Sequence, residues 1–275
     1  MHHEINFRLQ QRGVTLIEMI VAIVVMGVLV ALTSMFVRNQ VTSYMDIAAR
    51  ADLADEADTA VRRLTRDFQA ALPNSVRASG NFVEFVPIID AGRYRAQKGV
   101  LADNELDFAS LDNSFEVFGP PVTVHANDQL VISNLGIAGA DFYAGDTRRP
   151  LTSVGSLNTL TYTVGAAQFP FASPQSRFQV VSTPVTYAFE AATRTLWRYS
   201  GYAIQPVQVV TIAGLDALGG VTKVALATDV DVANSSFAFA AAALQRNAIV
   251  SIRLTLTRNG EGVTLFQQLN IFNSP

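Results

Sequence analysis

The chain has 275 residues, 49% of them hydrophobic and 16% charged, with a net charge of −3 at pH 7. That balance leaves no cationic excess for a nucleic-acid surface. With no cysteine, both a disulfide and a Cys-His nucleophile pair are excluded. A chain of this length can still bury a core without disulfides.

Residues 1–13 place Arg8 and Arg12 immediately before an apolar run, and by the positive-inside rule that end stays in the cytoplasm. His2 and His3 lie in this leader and are assigned no function. From Val14 to Val37, twenty-four residues contain one ionisable group, Glu18, and no proline. A helix of that length spans about 36 Å, enough for a hydrocarbon core of about 30 Å. Ile, Val, Leu, Met and Ala fill every side of it, the composition of a helix in lipid or in a fully buried bundle. A carboxylate at the centre of a membrane helix costs about 2.5–3.5 kcal/mol, less near the interface, so Glu18 asks for a reason.

The helix is expected to continue over 38–72. Ile47, Ala51, Ala54, Ala57, Val61, Leu64, Phe68 and Leu72 recur at spacings of three or four. Asp58–Arg62 and Arg63–Asp67 are opposite charges four apart, which support a helix. The charged residues between the apolar positions read as a solvated face, and Pro73-Asn74 closes the element.

Beyond Pro73 the period changes to two. Phe82–Val86 reads as a strand, Gly92-Arg93-Tyr94 as a turn, and Leu130–Ile132 and Leu160–Val164 as further strands. Val185–Phe189 and Thr195–Tyr199 form a hairpin. Val250, Ile252, Leu254 and Leu256 alternate with polar residues before a turn at Asn259–Gly262, after which Val263, Leu265, Leu269 and Ile271 resume the apolar face. Phe237 and Phe239 head a third strand of that meander. A softer boundary at Phe169–Pro174 is a candidate division of residues 73–275 into two β lobes. The class expected is α+β, a long N-terminal helix packed on antiparallel sheet.

Gly13-Val14-Thr15-Leu16-Ile17-Glu18 resembles the type IV prepilin processing motif. In that superfamily a short basic leader ends in Gly, and the apolar run begins at the cut rather than before it, unlike a secretory signal peptide. The resemblance implies cleavage between Gly13 and Val14 by prepilin peptidase, N-methylation of Val14, and Glu18 as the assembly glutamate. It also implies the pilin fold, partners among other minor and major pilins and the inner-membrane assembly platform, and a route from the bacterial inner membrane, with residues 73–275 in the periplasm, to a place near the pilus tip. The size of the exported part and the stretch AVRRLTRDFQAALPNSVR (60–77) resemble the larger minor pilins of the PilW and pseudopilin-J group. Phe85–Ile88, Gly92–Tyr94, Leu196–Tyr202 and Asn273–Pro275 resemble the MshO minor pilins of mannose-sensitive haemagglutinin (MSHA) pili. Two departures from major pilins stand out, the absent cysteines and a span with Gly27 but no kinking proline. The alternatives carried forward are a J-type pseudopilin of type II secretion and a membrane-tethered periplasmic binding or adhesive domain.

No catalytic residue, cofactor or metal site is expected. Beyond the leader the only histidine is His125, read as a polar residue at a strand end, and neither G-x-S-x-G nor H-E-x-x-H occurs. Asp103, Asn104, Glu105 and Asp107, and separately Asp229, Asp231 and Asn234, group oxygen ligands without matching a calcium loop. Asp229 and Asp231 read instead as a solvated strand face. Trp197, Tyr199 and Tyr202 read as core or cross-strand aromatics rather than a sugar platform.

Overall fold

The computed structural model describes residues 13–98, 104–241 and 247–271, and its contacts divide the chain into two units, Met1–Ala51 and Asp52–Pro275. Arg8, Arg12 and the Asn273–Pro275 terminus lie outside the described residues. One helix of 54 residues, Leu16–Gln69, contributes to both units.

In the first unit the apolar side chains stand exposed on all sides, among them Leu16, Ile20, Met26, Val30, Leu32 and Phe36. The two hydroxyls in the second half of the span turn back on their own helix. Thr33 Oγ1 donates to the Leu29 carbonyl at 2.7 Å and Ser34 Oγ to the Val30 carbonyl at 2.9 Å. Neither therefore presents an unsatisfied polar group to an apolar surrounding.

In the second unit the helix buries Leu53, Ala57, Ala60, Val61, Leu64 and Phe68. The buried stripe is shifted from the expected one, because Leu53 and Ala60 go inward while Ile47 and Ala51 remain exposed. Small Ala57 and Ala60 let the helix approach, and Phe68 reaches Phe85 and Tyr187, with ring centroids 4.9 and 6.2 Å away. Full burial of each Leu or Phe in this stripe contributes about 1.5–3 kcal/mol.

The main sheet is antiparallel, with strands ordered Arg77–Ser79, Phe82–Phe85, Val185–Glu190, Thr195–Ser200 and Thr222–Ala227. The terminal meander joins Ser236–Ala240, Ala248–Arg258 and Glu261–Ile271. Its hairpin turn is tighter than expected. Pairing begins at Arg258 and Glu261, so Asn259 (φ 54°) and Gly260 (φ 85°) alone make the connection, as a left-handed two-residue turn requires. Val250, Ile252, Leu254 and Leu256 all face the core that holds the helix.

A second core gathers residues from Tyr94 to Val180, including Phe115, Leu130, Leu160, Phe169 and Phe178. It is built on the sheet Ile88–Arg93, Arg177–Val181, Gln129–Val131 and Arg148–Pro150, with two short strand pairs beside it. The α+β class and the antiparallel sheets agree with the expectation and are consistent with a pilin fold.

Gly92-Arg93-Tyr94 is not a turn. Gly92 and Arg93 end the strand Ile88–Arg93, with Gly92 opposite Phe178, and Tyr94 bridges to Val117. A Cβ on Gly92 would meet Phe178 Cζ at 2.8 Å, so the glycine makes room for a ring rather than for a bend. Gly92→Ala is expected to destabilise the protein by about 1–3 kcal/mol through overpacking. Urea unfolding measures this, and an unchanged midpoint would refute the crowding argument.

Candidate assembly site

Gly13 and Val14 are exposed and lie just outside the long helix. A Cβ added to Gly13 would meet nothing within 4 Å. Among the described residues, nothing therefore demands glycine at that position. Thr15 and Glu18 sit at the helix start in the spacing of a capping box. The Glu18 backbone N–H donates to Thr15 Oγ1 at 3.4 Å and to the Thr15 carbonyl at 3.1 Å. Glu18 occupies the first helical turn, where the helix dipole favours an anion. Among the described residues, no hydrogen bond or ion pair engages its carboxylate. Thr15 thus supplies the cap, and Glu18 is left with an acceptor facing outward.

Residues 8–34 match the prokaryotic N-terminal methylation motif. Such a motif marks a type IV pilin- or pseudopilin-like substrate of prepilin peptidase, and together with the long apolar N-terminal helix it fits a membrane-anchored pilin. The chain has no match among curated proteins or solved structures.

Beyond the methylation motif, the helix is tied to the rest of its own unit by carboxylates that the sequence pattern places on a solvated face. That reading of the charge run is corrected at two positions. Asp67 Oδ2 accepts from Tyr187 Oη at 2.6 Å and from Arg198 Nε at 3.0 Å, while Arg63 Nε lies 3.1 Å from Oδ1. Burial, then the Asp67 carboxylate, pushes the Tyr187 hydroxyl well above the usual tyrosine range. Glu56 accepts from the Thr228 N–H at 2.7 Å and from Arg258 Nη2 at 3.1 Å. The Asp58–Arg62 pair does form on the exposed surface, at 2.6 Å. The i, i+4 spacing revealed the pairs within the helix; the partners contributed by Tyr187, Arg198, Thr228 and Arg258 are more than a hundred residues away and left no local signal.

A second polar cluster lies on the side of the strand Phe82–Phe85 opposite the helix. Glu84 is fully buried, and its Oε1 accepts from Arg77 Nη2 at 2.8 Å. Arg77 also donates to the carbonyls of Gln205 and Pro206 and lies 3.6 Å above the Tyr143 ring. Tyr143 Oη donates to the Ser75 carbonyl at 2.9 Å, and Thr186 Oγ1 and Tyr202 Oη lie 2.6 Å apart. Burial raises the Glu84 carboxyl above the usual glutamate range; the Arg77 charge and hydrogen bond pull it part of the way back.

The remaining candidates are accounted for individually. Tyr199 and Tyr202 are buried, and the half-buried Trp197 donates Nε1 to Glu190 at 2.7 Å with Lys223 over its ring. His125 follows the strand Val122–Val124, with Nδ1 3.4 Å from Asp128 Oδ2. Asp103 lies outside the described residues. Asp107 Oδ1 accepts from the Ala109 N–H at 2.7 Å, and Glu105 pairs with Lys98 at 3.3 Å. Asp229 and Asp231 are not on a strand face. Asp229 has a left-handed backbone (φ 54°) and accepts from Arg258 Nε at 2.6 Å; Asp231 caps the short helical turn Val232–Asn234. Their geometry follows from pairing with the hairpin end at Arg258 rather than from alternation. Among the described residues, no three His, Cys, Asp or Glu side chains come together.

Proposed function

We propose that this chain is a minor pilin that helps initiate or prime assembly of a type IV, MSHA-like pilus. The observation that carries this reading is the start of the long helix. An all-round apolar and exposed segment begins with a capped turn within the methylation motif and carries one carboxylate without a partner among the described residues. In this reading prepilin peptidase cuts between Gly13 and Val14, Val14 becomes the N-methylated terminus, and Glu18 pairs with a neighbouring subunit during assembly. Arg8 and Arg12 hold the leader in the cytoplasm, the second unit is periplasmic, and the processed chain passes through the assembly platform to a position near the tip. Its partners there are the other minor and major pilins. The size of the second unit, Asp52–Pro275, supports a minor rather than a bulk subunit, since every repeat of a thin filament would have to accommodate it.

The test is the mature terminus. Mass spectrometry of filament-associated protein is expected to show a chain beginning at methylated Val14. Gly13→Leu should leave the precursor in the inner membrane with processing lost, because no contact among the described residues restricts this position and the restriction falls to the peptidase. Assembled protein that keeps Met1 would sink the reading. Co-purification with secretion components in place of pilins would move it to the J-type pseudopilin.

A further inference from the structure

A cavity of about 460 Å³ opens beside the second core, between the loop 144–150 and the segment 163–170. Two consecutive arginines line it, Arg148 and Arg149, and neither forms an ion pair with a carboxylate among the described residues. They do different things. Arg149 is 6% exposed and spends its guanidinium on backbone carbonyls. Nη1 donates to Gly145, Asp146 and Arg148 at 3.2, 3.1 and 2.7 Å, and Nη2 donates to Ala167 at 2.7 Å. Its Nε is buried without a hydrogen-bond partner among the described residues. Segment 163–170 can pass over this group only because residue 165 is glycine, where a Cβ would lie 2.6 Å from Arg149 Nε. Arg149 therefore builds the wall and leaves a buried cation in it.

Arg148 supplies the outward group. Its Nε donates to the Phe142 carbonyl at 3.0 Å, and its Nη atoms have no protein hydrogen bond among the described residues. Desolvation pulls both arginines below their usual value; for Arg149 the neighbouring Arg148 charge adds to the shift and Asp146 opposes it. One carboxylate lines the cavity, that of Asp146, and its Oδ2 is occupied by the Asp141 N–H at 3.1 Å.

We propose that this cavity binds a monoanionic carboxylated sugar of the uronic-acid type, with its carboxylate on the Arg148 fork. A planar guanidinium matches a planar carboxylate through two parallel hydrogen bonds. One outward fork and a nearby Asp146 suit a single negative charge better than a phosphomonoester, which carries about −1.5 to −2 at neutral pH. The volume falls within the usual range for small-ligand sites, and an acidic side chain from a protein partner would fill little of it. Thr163, also in the lining, offers its hydroxyl to ring hydroxyls. This site does not depend on the assembly helix and would give the second unit a binding role of its own.

Isothermal titration calorimetry of the full chain in detergent micelles tests it, with glucuronate, glucose, acetate and inorganic phosphate as probes. Glucuronate is expected to bind in the millimolar range or tighter, with glucose and acetate each at least tenfold weaker. Arg148→Gln should weaken glucuronate at least tenfold while leaving the melting temperature near that of the parent. Ala166→Trp, a filling substitution at an exposed lining position, should abolish binding without touching either arginine; it also answers the question if Arg148→Gln does not fold. No heat with glucuronate, equal binding of glucose or acetate, tighter binding of phosphate, or unchanged affinity in both variants would each overturn the proposal.

Discussion

Glu18→Gln is expected to insert into the membrane and be processed like the parent, yet to lower co-purification with the other pilins and piliation by about tenfold or more. A tenfold change corresponds to about 1.4 kcal/mol. Gln preserves the size of the side chain and leaves the cap intact, because the cap runs from Thr15 Oγ1 to the backbone N–H of residue 18. What it removes is the charge. Among the described residues that carboxylate has no partner, and an isolated charge within an apolar span is costly. Within a bundle of processed chains, the partner proposed is the new ammonium at Val14 of a neighbouring subunit. Low dielectric strengthens that attraction, and one cation with one anion a turn further on would fix the axial register between subunits. In the proposed assembly, a subunit at the extreme tip would have no chain above it to pair with, so a chain retaining Glu18 would sit just below the tip. Glu18→Asp keeps the charge on a shorter stem and should be intermediate. If Glu18→Gln assembles as well as the parent at matched expression, the paired-charge mechanism does not operate in this subunit.

Arg77→Met is expected to cost about 3–5 kcal/mol at neutral pH, because removing one member of a buried pair leaves the other charge uncompensated. The loss should also depend on pH. Glu84 is held above the usual glutamate range by burial, so in the window between the ordinary and the raised value the folded chain keeps a proton that the unfolded chain has released. The stability carried by that proton is complete below the window and is lost as pH rises through it. Removing Arg77 also removes the charge and the hydrogen bond that draw Glu84 back down, so the window extends upward. The variant should therefore approach the parent in acid and fall further behind it as pH rises. Adding Glu84→Gln to Arg77→Met should recover part of the loss at neutral pH and flatten the profile. Urea unfolding across the pH range distinguishes this from simple loss of packing, which would give a deficit independent of pH and no recovery.

Glu18 and the Arg77–Glu84 pair both place charge in apolar surroundings, but only Glu18 was legible in the chain itself. Glu18 stands out because twenty-three apolar or neutral residues surround it within one uninterrupted run, and the Thr15-x-x-Glu18 spacing lies within one helical turn. The terminal meander was legible for the same reason. Alternation over Val250–Leu256 and an Asn-Gly turn fix which side chains share a face and how the strands meet, whatever they pack against. Local periodicity is a property of consecutive residues, so sequence alone determined the apolar helix, its charged start, the α+β class and the main hairpins.

Tertiary structure decided which of two available faces is covered, and by what. Phe82–Phe85 has Glu84 in the phase expected of a solvent face, yet both sides of that strand are closed. The helix covers one side, and Tyr143, Thr186 and Tyr202 with Arg77 enclose the Glu84 carboxylate on the other. Gly92 looks like a turn residue until Phe178, eighty-six positions later, is brought against it. Asp67 and Glu56 fit a solvated helical face until Arg198 and Arg258 arrive from distant strands. The Arg148–Arg149 cavity likewise exists only because Gly165 passes over a guanidinium. In each case the decisive contact joins residues far apart in sequence. Its free energy depends on desolvation and close packing at a place that no short window of the chain describes.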